Sequence, residues 1–134
     1  MKAIDAHCHL DFESFDEDRE EVIEYCKKSL KFAVNAGSNI EHNKSALELQ
    51  KKHPDFIVAN LGLHPTYTDD FNQVEDIKQQ IRENDPVAIG EIGLDYHHVE
   101  DREIREKQEE VFTELLELAE ELGKPVVVHS RNAE

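Results

Sequence analysis

The chain has 134 residues, 38% of them hydrophobic, which is enough for one domain, or part of one, with a real core. Its 31 acidic and 15 basic residues give a formal net charge of -16, which excludes a broad basic surface for nucleic acid, so bound phosphate would need a local source of positive charge such as divalent cations. The two cysteines, and the lack of an apolar leader or of an apolar run of about 18 residues, predict a cytoplasmic protein without a disulfide scaffold or a membrane span.

Five apolar, β-rich runs alternate with amphipathic helical patterns along the chain. In order, the runs are KAIDAH, KFAVNAG, FIVANLGLH, PVAIGEIGL and PVVVHS. Apolar residues recur at helical spacing from Val74 to Ile81 and from Ile104 to Leu122, and Gly123 predicts the end of the last helix. This order of five strands and four helices predicts an α/β fold with a parallel sheet.

Length leaves two architectures open for this parallel sheet. An eight-stranded α/β barrel needs about 200–250 residues, so a chain of 134 residues would hold only its first five strands. A complete five-stranded doubly wound sheet is the alternative on length alone.

The first predicted strand ends in two histidines. Because side chains alternate along a strand, Asp5, His7 and His9 share one face, whereas Cys8 faces the core. Two imidazoles side by side, next to carboxylates, are typical of a metal site. On that face Asp5 would bind metal or orient a ligand, whereas we expect Asp11 to cap the following turn.

His64 and His129 follow the third and fifth predicted strands. Functional sites of parallel α/β folds gather at the carboxyl ends of the strands, so we expect both histidines near the first pair. Pro65 ends the strand at His64, for which we rank substrate contact above metal binding. His129 is the natural ligand on the second side of the site. The remaining histidines are expected to be hydrogen-bonded core or surface residues: His42, His53, His97 and His98.

Glu91 lies inside the apolar run of the fourth predicted strand. A glutamate there must be paired, protonated or bound to metal, because burying a bare charge costs several kcal/mol or more. A structural salt bridge is one interpretation. The other is a carboxylate that bridges two metals, with histidines on opposite sides. Asp95 and Tyr96, on the loop that follows, are expected to stabilise a turn.

Four motifs, IDAHCHLDF, GLHP, GEIGLDYH and VVVHSR, closely resemble in order and spacing the TatD family of metal-dependent deoxyribonucleases in the amidohydrolase-like superfamily. The resemblance covers essentially all of residues 1–134. It implies a TIM-type (β/α)8 barrel, of which the chain holds the first five strands. It also implies a centre of two divalent metal ions (Mg, Mn or Zn). The implied activity is hydrolysis of phosphodiester bonds in DNA, often as an exonuclease. By this resemblance, His7 and His9 would bind one metal and His129 the second. Glu91 would bridge both as the catalytic carboxylate, and His64 would lie near the substrate phosphate.

Members of this family continue through three more strands, which bring another metal-binding histidine and a late aspartate that helps to activate water. We therefore expect residues 1–134 to be the N-terminal portion of a hydrolase domain, truncated at its C-terminus and inactive alone. We also expect the chain to self-associate through open strand edges. The alternatives are a related metallohydrolase that acts on an ester or amide, and a non-catalytic metal-binding or interaction fragment.

Overall fold

The computed structural model describes residues 2–133, which form the expected five strands and four helices in alternation. The strands are β1 (Ala3–Cys8), β2 (Leu30–Ala36), β3 (Ile57–Asn60), β4 (Ile89–Asp95) and β5 (Val126–Arg131). The helices are α1 (Arg19–Cys26), α2 (Ile40–Lys52), α3 (Val74–Asn84) and α4 (Arg102–Leu122). Short 3-10 helices at Glu13–Phe15 and Thr68–Gln73 precede α1 and α3.

The strands lie side by side in the order in which they occur in the chain. β1, β2 and β3 form one parallel ladder, and β4 and β5 form a second. A single parallel bridge between Leu61 and Ile89 joins the two ladders. A doubly wound sheet reverses its strand order at a switch point, whereas a barrel keeps the order of the chain. The doubly wound alternative is therefore wrong, and the fold corresponds to the first five strands of a barrel.

The core lies between the parallel strands and the helices that cover them. On α3 the buried residues Val74, Ile77 and Ile81 fall on one face, as their spacing predicts. The longer α4 buries Val111 and Leu115 in the same cluster. A smaller cluster packs α1 against the first strands, with Ile23 fully buried.

Helix ends follow the local sequence. The side chain of Asn39 accepts a hydrogen bond from the His42 amide at the start of α2, and Asp101 accepts one from Ile104 at the start of α4. Gly123 ends α4 in the left-handed conformation, as predicted, with φ of 61°. No helix within residues 2–133 combines the length and the apolar character needed to cross a membrane.

Two glycines allow the close approach of strands beneath the site. A Cβ atom on Gly62, just after β3, would lie 2.6 Å from the backbone carbon of Gly90 on β4. On Gly93, whose φ is 147°, a Cβ atom would overlap the carbonyl of His129 on β5. Because these glycines have no side chains, β4, which carries Glu91, can lie close to the end of β3 and to β5, which carries His129.

Candidate metal centre

The carboxylate of Glu91 lies between two groups of histidines at the carboxyl edge of the strands. Its Oε2 atom is 3.2 Å from His7 Nε2 and 3.6 Å from His9 Nε2. Its Oε1 atom is 3.1 Å from His129 Nδ1 and 3.9 Å from His64 Nε2. The structure thus brings together the five residues to which the family resemblance gives a role in the site.

Each group offers three ligand atoms within 4.8 Å of one another, from His7, His9 and Glu91 in one group and from His64, Glu91 and His129 in the other. The two Nε2 atoms of His7 and His9 are 3.1 Å apart. Imidazole nitrogens that converge with a carboxylate oxygen suit Zn²⁺ or Mn²⁺, whereas Mg²⁺ prefers oxygen ligands. The donor set therefore fits a divalent transition metal on either side of Glu91.

Glu91 is ionised in this setting. Burial raises its pKa, but the hydrogen bond from His9 and the electrostatic effect of the nearby rings of His64 and His7 outweigh burial and lower the pKa to about 2. Within residues 2–133, its ion-pair partners are histidines only, with no lysine or arginine among them. This environment does not match a simple structural salt bridge, so it favours the metal interpretation.

The ring of His9 is fixed by its second nitrogen. Its Nδ1 atom lies 3.0 Å from the carbonyl oxygen of Ala36 at the end of β2, so Nδ1–H donates, and in the neutral ring Nε2 carries the lone pair. The ring also stacks on Phe12, with centroids 4.6 Å apart. The hydrogen bond with Glu91 raises the pKa of His9, although burial opposes this shift. His9 is thereby held in the tautomer that a metal ligand at Nε2 needs.

Asp95 orients His129. Its side chain is fully buried, and its Oδ2 atom lies 2.9 Å from His129 Nε2. An Nε2–H that donates to this carboxylate leaves Nδ1 free to face Glu91. The same Asp95 accepts hydrogen bonds from the amides of His97 and His98, so the predicted turn role is confirmed as well. Burial raises the pKa of Asp95, but hydrogen bonds from His98 and His129 outweigh burial and hold it well below its usual value.

The sequence alone did not predict the orienting role of Asp95, although one signal pointed to it. Glu91 and Asp95 are four residues apart on β4, and strand side chains repeat with a period of two, which favours the same face for both. Gln108 on α4 was also missed. Its buried side chain donates hydrogen bonds to the carbonyls of Pro65 and Asp95, so it ties together the loops after β3 and β4.

His64 is a neutral imidazole with a defined tautomer. Burial lowers its pKa to about 4. Its Nδ1 atom accepts a hydrogen bond of 3.3 Å from the amide of Thr66, which places the proton of the neutral ring on Nε2. In this tautomer Nε2–H is a hydrogen-bond donor, and a metal at Nε2 would require the other tautomer. This tautomer supports the ranking of substrate contact above metal binding, which stays a prediction.

Asp11 does not cap the turn that follows it, so that expectation is wrong. Its buried carboxylate accepts a hydrogen bond of 2.8 Å from Asn35 Nδ2 and pairs at 2.7 Å with His42 Nδ1. These partners come from β2 and α2, far along the chain, and they engage both carboxylate oxygens. Asp11 therefore fastens the loop that follows the histidine pair to its neighbours. His42 is a hydrogen-bonded residue, as expected.

Asp5 and Cys8 lie outside both histidine groups. The Oδ1 atom of Asp5 accepts a hydrogen bond of 3.1 Å from the His7 amide, so its contact is with the backbone of a candidate ligand. The Sγ atom of Cys8 lies 3.3 Å from the Val34 carbonyl, and the side chain packs against the smaller core cluster. Burial raises the pKa of the Cys8 thiol to about 12. Cys8 thus packs against the core, as expected, but is only partly buried.

The sequence is similar to those of a known protein family. Residues 4–134 match the family model described as TatD related DNase. An uncharacterized metal-dependent hydrolase of Methanocaldococcus jannaschii is 41% identical over 137 residues, which span 100% of this chain and 53% of that protein. A Homo sapiens protein named as a deoxyribonuclease is 34% identical over 145 residues, which span 97% of this chain and 52% of that protein.

Solved structures agree with the family match. A TatD homologue of Escherichia coli, 29% identical, superposes with a TM-score of 0.79 and covers 97% of this chain and 51% of that chain. A TatD-family hydrolase of Entamoeba histolytica, 24% identical, superposes with a TM-score of 0.85 over 99% of this chain and 51% of that one, which supports the fold. The chain spans about half the length of the curated relatives it matches. It belongs to the TatD-related DNase family of metal-dependent hydrolases.

Proposed function

We propose that the protein is a deoxyribonuclease in which His7, His9, Glu91 and His129 hold two divalent metal ions. The observation that carries the proposal is the position of the Glu91 carboxylate, whose two oxygens face separate histidine groups. The human relative named as a deoxyribonuclease supports DNA as the substrate. In this proposal residues 1–134 are part of one hydrolase domain, whose known relatives are about twice as long.

Two bound cations would bind the scissile phosphate, lower the pKa of a water molecule and stabilise charge on the attacking and leaving oxygens. The residues of this chain supply the geometry. Glu91 spans both groups, and the Ala36 carbonyl and Asp95 fix the rings of His9 and His129. His64 directs its Nε2–H group toward the same space, where it would donate a hydrogen bond to a phosphate oxygen.

A related hydrolase that acts on an ester or amide is the second candidate, because the same metal pair can polarise a carbonyl. A panel of single-stranded DNA, RNA and small esters separates the two candidates. Cleavage confined to the esters would contradict the proposal and support the second candidate. A native protein that binds metal and cleaves none of them would favour a non-catalytic role.

The direct test is Glu91→Gln in the native protein that contains this chain. The amide keeps the shape of the side chain but loses the charge that two cations need, so metal-dependent DNA cleavage should be abolished. Glu100→Gln is the matched control, because Glu100 is an exposed glutamate on the loop after β4. Undiminished nuclease activity of Glu91→Gln would remove the proposal.

A further inference from the structure

A cavity of about 370 Å³ adjoins the candidate metal centre. It shares His64, Asp95 and His129 with the site, and its remaining lining residues are Thr66, His98 and Arg131. A molecule held at the histidine groups therefore has room to extend over the carboxyl ends of β4 and β5. The chemistry of this extension is set by the one permanent cation in the lining, Arg131.

Arg131 is placed by strand geometry. It follows His129 by two residues at the end of β5, so the two side chains share a face. Its register partner on β4 is Asp95, whose carboxylate contacts the ring of His129. The guanidinium group consequently lies on the side of the sheet that carries the candidate ligands.

The other four arginines of the chain have partners. They are Arg19, which bonds to the carbonyls of Leu10, Asp11 and Phe12 and to Asp16; Arg82, paired with Glu121; Arg102, paired with Glu106; and Arg105, bonded to the carbonyls of Val99 and Tyr96.

Arg131 differs from these four. Within residues 2–133 the guanidinium group of Arg131 makes no hydrogen bond. No carboxylate oxygen of these residues lies close enough to its nitrogen atoms to form an ion pair. The acidic residue in the same cavity, Asp95, is already engaged by His98 and His129. Among the described residues Arg131 thus has no anionic partner. In a chain with a formal net charge of -16, such a cation beside the candidate metal centre is available to an external anion.

We propose that Arg131 binds a phosphate group of the substrate, an inference that rests on the proposed function and deepens it. A planar guanidinium group can donate two parallel hydrogen bonds to phosphate oxygens, which fixes both position and orientation. The motif VVVHSR would then provide a metal ligand and a phosphate contact two residues apart. Arg131 would also supply part of the local positive charge that a strongly acidic protein needs to hold a nucleic acid.

The test compares two ligands by calorimetry: a thymidine dinucleotide with one phosphodiester, and its uncharged methylphosphonate analogue. Each ligand is titrated into the 134-residue chain with and without Mn²⁺. The wild-type chain should prefer the charged dinucleotide. Arg131→Gln should weaken binding of the charged dinucleotide by about 10-fold to 100-fold and leave the analogue unaffected, because a charge-assisted contact is lost. Arg131→Lys should recover part of the loss, because it keeps the charge but not the paired geometry. Arg102→Gln is the control, since Arg102 is an exposed arginine on α4.

Two further readouts separate this inference from the proposed function. Mn²⁺ affinity should be equal in the wild-type chain and in Arg131→Gln, because Arg131 is not a ligand. Equal affinity of the two chains for the charged dinucleotide, or no preference of the wild-type chain for the charged form, overturns the assignment of Arg131. A wild-type chain that binds no metal contradicts the proposed function instead, and the comparison of arginine variants without Mn²⁺ then still decides the role of Arg131.

Discussion

Buried carboxylates hold the candidate ligands and the loops around them in place. Asp95 contacts the ring of His129, and Asp11 contacts His42 behind the loop that follows the histidine pair. Both side chains are almost completely excluded from solvent. A buried carboxylate needs hydrogen-bond partners, and these imidazoles and amides provide them. The site therefore depends on residues that would not themselves touch a metal.

The buried imidazole of His64 makes stability depend on pH. Its pKa is about 4 in the folded chain and 6.5 when unperturbed, so between these values the unfolded chain binds more protons. Stability is fully present above pH 6.5 and is lost as the pH falls toward 4. From pH 7 to pH 5 the contribution of His64 should fall by about 2 kcal/mol.

This pH dependence can be measured by urea unfolding of the metal-free chain at pH 7 and at pH 5. His64→Gln should show a smaller loss of stability between the two pH values than the wild-type chain, whereas His97→Gln, at an exposed position, should behave like the wild type. An unchanged pH dependence in His64→Gln would contradict the burial of a neutral imidazole.

Residue types and strand periodicity were enough to predict His7, His9, Glu91 and His129, which the structure brings together. The roles of supporting residues could not be predicted in the same way. The partners of Asp11 lie 24 and 31 residues away, and those contacts depend on how β2 and α2 pack. Local sequence therefore indicated a cap for Asp11, whereas tertiary packing determined its partners.

At the scale of elements, apolar spacing predicts which segments form strands and helices but not where each strand ends. The third apolar run continues to His64, whereas β3 ends at Asn60. Leu61 makes a single bridge to Ile89, and Gly62 then approaches the backbone of β4 closely. The end of β3 is therefore set by this close approach to the backbone of β4, which the apolar pattern does not reveal.

The pairing of β4 with β5 depends on Gly93. In Gly93→Ala the new Cβ atom would meet the carbonyl of His129 on a backbone with positive φ, so the two strands must separate. We expect a loss of about 3 kcal/mol or more in the free energy of unfolding, and weaker metal binding because Glu91 and His129 lie on these strands. Chemical denaturation and a Zn²⁺ titration measure the two effects.

Gly123→Ala is the matched control for Gly93→Ala. Gly123 also has positive φ, but a Cβ atom there would have no neighbour within 4 Å. Its cost should be only about 1–2 kcal/mol, with unchanged metal affinity. Equal effects of the two substitutions would show that backbone strain alone, and not the contact between strands, determines the loss.

At the scale of the whole molecule, the parallel sheet has two open edges. Within residues 2–133 β1 pairs only with β2, and β5 pairs only with β4. Ile4 on β1 and Val128 on β5 are 50% and 51% exposed. The family resemblance anticipated such a five-stranded part of a barrel, and the order of the strands confirms it. Unpaired strand edges with exposed apolar side chains favour pairing with another chain.

We therefore expect the isolated 134-residue chain to self-associate in a concentration-dependent way. Light scattering coupled to size exclusion should give a mass above that of a monomer, 15.5 kDa. A double substitution, Ile4→Lys and Val128→Lys, should reduce the association, because charged edge residues oppose strand pairing. A stable monomer at all concentrations would contradict the open-edge interpretation.

The central claim is that Glu91 joins two metal sites, and a calorimetric titration of Mn²⁺ into the 134-residue chain tests it most directly. Because the chain spans half the length of its relatives, we expect measurable but weak binding. This binding should weaken as the pH is lowered, because an imidazole must be neutral to bind a metal and the pKa of His9 is raised. The account predicts that Glu91→Gln weakens binding by at least about 10-fold to 100-fold, whereas Glu100→Gln binds like the wild type. Equal Mn²⁺ affinity in Glu91→Gln and the wild-type chain would contradict it.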